Sequence, residues 1–168
     1  MTVVVRDAIA ADLPAVAAIY THFVLETTIT FNTSVVTPRA WTDRFHLEIV
    51  DGIHELLVAE VDGHVAGYAV TGAFRPKPAY RHSVEVTIYI APDQVDNGLG
   101  TLLYDELMRR LDANPEIHRA YALIALPNDR SIVFHEKFGF VHRGTLTECG
   151  FKFDRWLDVA FHERGCDG

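Results

Sequence analysis

Helices and strands alternate along this 168-residue chain, which predicts an α/β (α+β) fold. Three observations carry the prediction. Asp62-Gly63 joins two apolar runs as a tight hairpin turn, so part of the sheet is antiparallel. Residues 85–101, EVTIYIAPDQVDNGLGT, read as a strand, a glycine-bearing turn and the start of a helix. Leu99, Leu102, Leu103 and Leu107 then recur at helical spacing, and another strand-like run follows.

Taken in order, Val3–Arg6 is the first expected strand. Asp12-Leu13-Pro14 opens a helix, because Asp caps a helix N-terminus and Pro is tolerated in its first turn. Val16, Ile19, Tyr20 and Phe23 line its apolar face. Thr37-Pro38 opens a second helix with Trp41, Phe45 and Ile49 on one face. Leu56–Val61 and His64–Thr71 are the strands of the Asp62-Gly63 hairpin, and Gly72–Arg81 is a loop with basic Arg75, Lys77 and Arg81. The central strand spans about Ser83–Ala91, and the leucine-striped helix ends near Asn114-Pro115. Tyr121–Ala125 reads as a buried strand, and Asp129–Phe138 as a short helix stopped by Gly139. Phe140–Leu146 and Phe151–Phe161 are the last two expected strands.

A chain of this length is expected to form one domain, residues 1–168, around a single core. Hydrophobic residues make up 49% and charged residues 23%, an ordinary balance for a soluble globular protein. The net charge of −8, with no basic run, speaks against a nucleic-acid partner. No apolar run is long enough to span a membrane, and MTVVVRDAIA lacks the basic-then-apolar order of a signal peptide. Cys149 and Cys166 form no disulfide framework, Cys166 is expected in a C-terminal tail, and a reducing, cytoplasmic setting fits. The nine histidines show no ligand spacing, so no metal is assigned.

The 85–101 stretch concentrates the chemistry. Glycines at 98 and 100 precede and open a helix, so backbone N–H groups and the helix dipole favour an anion there, and no Cβ blocks its approach. Glu85 lies one strand-length upstream. A partly buried carboxylate has its pKa raised toward the working pH and suits a general base. A solvated strand-end Glu is the alternative reading.

Two further segments, LPNDRSIVFHEKFGF at 126–140 and GFKFDRWLDVAF at 150–161, extend the pattern. With them, and with VRDAIAADLPAVAAIY at 5–20, nearly the whole chain resembles the GNAT superfamily of N-acetyltransferases. More narrowly, it resembles the phosphinothricin acetyltransferases and their relatives that acetylate methionine sulfone or sulfoximine. The resemblance implies a mixed, mostly antiparallel central sheet flanked by helices and splayed between its fourth and fifth strands, with acetyl-CoA as cosubstrate in the splay. It also implies direct acetyl transfer to the α-amino group of a small amino acid or analogue, and a homodimer.

The resemblance makes Glu85 the catalytic base. It matches His135 to a position that handles the proton of the departing thiolate, and a neutral histidine can donate or accept. The main chain of Ile88, Tyr89 and Ile90 would hold the pantetheine arm as an added half-strand does. Asn128 would hydrogen-bond that arm, although the same Asn can cap the following helix. Asp96, Asn97, Gly98, Leu99, Gly100 and Thr101 would surround the diphosphate. In the loop FRPKPAYRH, Arg75, Lys77 and Tyr80 would hold the acceptor's carboxylate or phosphinate, since Arg suits bidentate binding and Lys a point charge. Phe31, in TFNT, would line the acceptor pocket; a place in the core is its other reading.

The chain departs from the family's Q/R-x-x-G-x-G/A pattern at Val95 and Asp96, which bring no basic residue and one acidic residue. A like charge at roughly 6 Å costs on the order of 1 kcal/mol at an effective dielectric of about 40, so a weaker grip on acetyl-CoA is expected. Two other readings stand beside the leading one. An enzyme of the same fold acting on protein or peptide amines would have no carboxylate for the basic loop. A non-catalytic acyl-CoA-binding domain would have no use for Glu85 and His135 together. Phe151, Phe153, Trp156, Leu157, Val159 and Phe161 make the C-terminal strand a candidate dimer surface or a core strand.

Overall fold

The computed structural model describes residues 2–166. Seven strands, β1 (Val3–Asp7), β2 (Leu56–Val61), β3 (His64–Ala73), β4 (Ser83–Ile90), β5 (Arg119–Ala125), β6 (Val141–Lys152) and β7 (Arg155–Gly165), form one sheet in the order β1-β2-β3-β4-β5-β7-β6. Four α-helices, α1 (Leu13–Glu26), α2 (Pro38–Arg44), α3 (Leu99–Ala113) and α4 (Asp129–Lys137), connect them. The pair β4–β5 is parallel, and β1–β2, β2–β3, β5–β7 and β6–β7 are antiparallel. No helix among the described residues is long and apolar enough to cross a membrane. The chain divides into two compact units, and the boundary falls within β4, between Glu85 and Val86.

The first unit holds residues up to 21, 36–72 and 86–111. Its hairpin turns at Asp62 and Gly63, both with positive φ, as the Asp-Gly pair predicts. Leu57, Val58, Ala59, Tyr68 and Ala69 of β2 and β3 are buried in its core. Arg6 bridges Asp12 (2.7 Å) and Glu60 (2.7 Å), tying β1 to the start of α1 and to β2. Asp12 also accepts the Ile9 N–H, and the Arg6 guanidinium holds its carboxyl below the usual range. Thr37 caps α2 by accepting from the Ala40 N–H, as expected. The helix does not continue regularly to Ile49; Phe45–Val50 forms a wider π-helical segment. In α3 the buried face is Leu99, Leu103, Tyr104, Leu107, Met108 and Leu111; Leu99, Leu103 and Leu107 lie on it as expected, whereas Leu102 is half-exposed.

The second unit holds residues 22–35, 73–85 and from 112 onward. Here β4 pairs with β5 through Ser83↔Arg119, Val84↔Ala120 and Glu85↔Tyr121, and β5 pairs with β7 along its whole length. The last hairpin departs from the sequence expectation. Instead of strands at 140–146 and 151–161, β6 runs to Lys152 and the chain reverses at Phe153-Asp154. Both turn residues have positive φ, 51° and 56°, a conformation that normally calls for Gly or Asn, so no turn signal is visible in the sequence. Nor is Cys166 in a tail: it is buried, and its N–H donates to the His118 carbonyl. Helix α4 ends on Gly139 in the left-handed conformation, as expected.

Candidate functional site

The glycine turn belongs to the first unit. After β4, Pro92–Gln94 makes one tight turn, and Asp96 and Gly98 take positive φ, 71° and 76°. A Cβ built on Gly98 meets nothing within 4 Å, so the turn opens onto free space rather than onto packed protein. Asp96, Asn97 and Gly98 are all exposed. The Thr101 N–H donates to the Gly98 carbonyl at 3.1 Å, which engages it within the chain. The Leu99 and Gly100 amides belong to the first helical turn, where no intrahelical acceptor precedes them. Leu99 is buried as a whole residue, and Gly100 is half-buried. These features fit an anion held by backbone donors, and Asp96 is the discordant charge.

Upstream on β4, the Tyr89 ring packs in an aromatic cluster with Tyr20 (5.3 Å between centroids) and Tyr68 (5.5 Å). Its side chain is thereby used for packing. Ile88 and Ile90 are half-buried. Ile90 closes over Gly67, where an added Cβ would lie 2.5 Å from Ile90 Cδ1.

The basic loop and Glu85 belong to the second unit, and a residue not anticipated from the sequence organises them. The Phe74 ring stacks face to face on Tyr121, centroids 4.0 Å apart and planes within 15°. The Arg75 guanidinium lies over Phe74, 4.7 Å from its centroid, and Tyr80 meets the same ring edge-on at 5.8 Å. A cation over an aromatic face is held without losing its outward hydrogen-bonding edge. Tyr121 is in turn the β5 partner of the half-buried Glu85. Arg75 and Tyr80 thus share the Phe74 ring, whose stacking partner Tyr121 is the backbone neighbour of Glu85. Lys77 is exposed outside this cluster, its carbonyl accepting from Tyr80 N–H at the single turn Pro78–Tyr80.

At the start of α4, Asn128 Oδ1 accepts from Ser131 N–H at 3.2 Å, the capping role weighed for it. One turn on, His135 is buried, and its Nδ1 donates to the Ser131 carbonyl at 2.7 Å. A carbonyl only accepts, so the proton sits on Nδ1 and the lone pair on Nε2. Burial pushes the imidazole down to about 4, so His135 is neutral at pH 7. A neutral ring of this tautomer accepts at Nε2; it has no proton to donate there.

Phe31 is 39% exposed, so it is not a core residue. Its ring rests against Gly150 of β6, and Lys152 Nζ donates to the Thr30 carbonyl at 2.8 Å in a buried setting. On the same hairpin, Phe151, Phe153 and Trp156 are exposed while Leu157 and Val159 are buried, dividing the expected interface residues between surface and core. Phe74, Tyr121, Gly150 and Lys152 escaped sequence reading because each acts through a partner distant in the chain.

Residues 5–161 match the family model described as an acetyltransferase (GNAT) domain. The chain is 45% identical to a phosphinothricin N-acetyltransferase of Streptomyces coelicolor, over 95% of this chain and 94% of that one. It is 36% identical to an L-methionine sulfoximine/L-methionine sulfone acetyltransferase of Pseudomonas aeruginosa, over 99% and 96%. Among solved structures, a phosphinothricin acetyltransferase from Sinorhizobium meliloti in complex with AcCoA superposes with a TM-score of 0.92 and 36% identity, covering 99% of this chain and 89% of that one.

Proposed function

The chain belongs to the GNAT acetyltransferase family, and from that premise we propose that it acts as a single domain that transfers acetyl from acetyl-CoA to the α-amino group of a small amino-acid analogue of the phosphinothricin or methionine sulfoximine type. The observation that carries the acceptor class is the chain of contacts Arg75–Phe74–Tyr121, with Tyr121 paired to Glu85. An α-amino acid bears a carboxylate and an ammonium on one carbon. A guanidinium held over one ring of a stacked pair, whose other ring belongs to the strand neighbour of Glu85, can read the carboxylate while Glu85 meets the ammonium.

Acetyl-CoA supplies an activated acetyl thioester. Leu99 and Gly100 amides with Asn97 and Gly98 hold its diphosphate, the main chain of Ile88, Tyr89 and Ile90 holds the pantetheine arm, and the Asn128 side-chain N–H groups donate to that arm. Arg75, Lys77 and Tyr80 bind the acceptor's acidic group, and Phe31 borders its side chain. Glu85 takes the proton that makes the ammonium a nucleophile. His135, neutral and accepting at Nε2, relays a proton rather than supplying one. His135 Nε2 takes the second proton of the amine as it becomes an amide and passes it to the leaving thiolate, so amine and thioester become amide and thiol with protons balanced. The exposed Phe151, Phe153 and Trp156 form a homodimer surface, and the setting is cytoplasmic.

The test is thiol release from acetyl-CoA with phosphinothricin, methionine sulfone, methionine sulfoximine, free amino acids and one short peptide. Turnover on a tetrahedral analogue is expected. Preference for the peptide would replace the acceptor class, and silence with acetyl-CoA bound in calorimetry would leave an acyl-CoA-binding domain.

A further inference from the structure

We propose that Gly150 and Lys152 of β6 are positioning residues that seat Phe31, and that this seat decides which acceptor side chains the enzyme takes. The inference rests on the reading of Phe31 as a wall of the acceptor pocket.

The backbone of Gly150 is one that any residue adopts, so no turn requires a glycine there. What requires it is Phe31: a Cβ at position 150 would lie 2.2 Å from Cε2, 2.5 Å from Cζ and 2.9 Å from Cδ2 of that ring. Phenyl ring atoms cannot move independently, so an alanine would displace the whole ring. A ring packed this closely is normally a core ring, yet 39% of Phe31 is exposed. One side is held rigidly by bare backbone while the rest faces outward, which describes a platform.

Lys152 lies two residues on, on the same face of the strand. It is only 4% exposed, and its Nζ donates to the carbonyl of Thr30, the residue preceding Phe31. Its ammonium also lies 5.1 Å from the Phe153 ring centroid. Burying an ammonium against a neutral carbonyl is unfavourable compared with an apolar side chain of similar shape. Desolvation accordingly pulls the Lys152 pKa down. A stability role alone would be met better by methionine. The bond is explained by what it fixes, the main chain carrying Phe31. Two adjacent inward positions of β6 thus clamp one dipeptide, Thr30-Phe31, from a distant part of the sequence.

Steady-state kinetics of Gly150→Ala, Lys152→Met, Phe31→Leu and the double variant G150A/F31L test this on acceptors with short and long side chains. Gly150→Ala is expected to raise the acceptor KM roughly tenfold or more and to reorder acceptor preference, with the acetyl-CoA KM unchanged. Adding Phe31→Leu should relieve much of that effect, because the smaller side chain accommodates the new methyl group. Lys152→Met should raise the acceptor KM while its melting temperature holds or rises, a split that a purely structural residue would not produce. An unchanged acceptor KM and ranking in Lys152→Met and in a folded Gly150→Ala would overturn the proposal, as would equal losses for acceptor and acetyl-CoA. If Phe31→Leu itself leaves acceptor kinetics untouched, the Phe31 reading fails instead, and the two failures are distinguishable.

Discussion

β4 changes character at Glu85. Up to that residue, in the stretch Ala73–Glu85, the candidate chemistry lies in side chains: Arg75 on its aromatic support, Tyr80, and Glu85 opposite Tyr121. Beyond it, in Val86–Thr101, fewer side chains are available: Tyr89 is locked among rings, Leu99 is buried and Gly98 has no side chain, while Asp96 and Asn97 are exposed. What this second stretch offers a ligand is chiefly main chain. One region therefore depends on residue identity and the other on backbone shape, and substitutions should affect them differently.

The largest effect is expected at Glu85. Glu85→Gln should lower turnover at neutral pH by roughly 10²- to 10⁴-fold, the range for a lost general base, with calorimetric affinity for acetyl-CoA unchanged. Equal turnover would remove Glu85 as base and break the comparison. His135 supplies the second test, in stability. Its folded pKa of about 4 lies below the ordinary 6.5, so the unfolded chain takes up the proton first. The stabilisation is complete above about pH 6.5 and is lost as pH falls toward 4, below which the folded form is protonated as well; the full loss is roughly 3 kcal/mol. Urea denaturation across that window should show the slope, and His135→Gln should flatten it, leaving the part due to His162, whose pKa burial also lowers.

Arg75→Ala combined with Lys77→Ala should raise the acceptor KM by roughly 10- to 100-fold, the worth of hydrogen bonds to a charged group, while the acetyl-CoA KM stays put. Efficient acetylation of peptides by that variant would favour the peptide-amine reading. The smallest effects belong to the main-chain region. Gly98→Ala forces an L-residue to φ 76°, costing roughly 1–2 kcal/mol, and should weaken acetyl-CoA about five- to thirtyfold without touching the acceptor. Asp96→Asn should do the reverse, tightening acetyl-CoA about fivefold at low salt and less at high salt, since Asn tolerates φ 71° and removes the like charge.

Sequence reading succeeded wherever the signal is local. The Asp62-Gly63 hairpin, the Thr37 and Asn128 caps, Gly139 and the strand–turn–helix at 85–101 each depend on residues a few positions apart, and the structure has them all. The same holds for the family, whose matching segments are continuous stretches of chain. It failed where local rules were broken or long-range partners decided. Phe153-Asp154 turns with a phenylalanine at positive φ and no glycine, because the paired strands on either side impose the reversal. Of the expected stripe only Leu102 lies off the buried face, which Leu99, Leu103 and Leu107 share with Tyr104, Met108 and Leu111.

By itself, then, the chain's order of residues determined the succession of elements, the acetyltransferase family, and which side chains are candidates for base, relay and anion contacts. Periodicity and short motifs encode those within one or two turns. Only the tertiary structure decided that Phe74 supports Arg75, that His135 keeps its proton on Nδ1, and that Gly150 is bare to receive Phe31. Each of these is a relation between atoms that hydrogen bonding or packing brings together. Gly150 and Phe31 lie more than a hundred residues apart, and no local pattern records their contact.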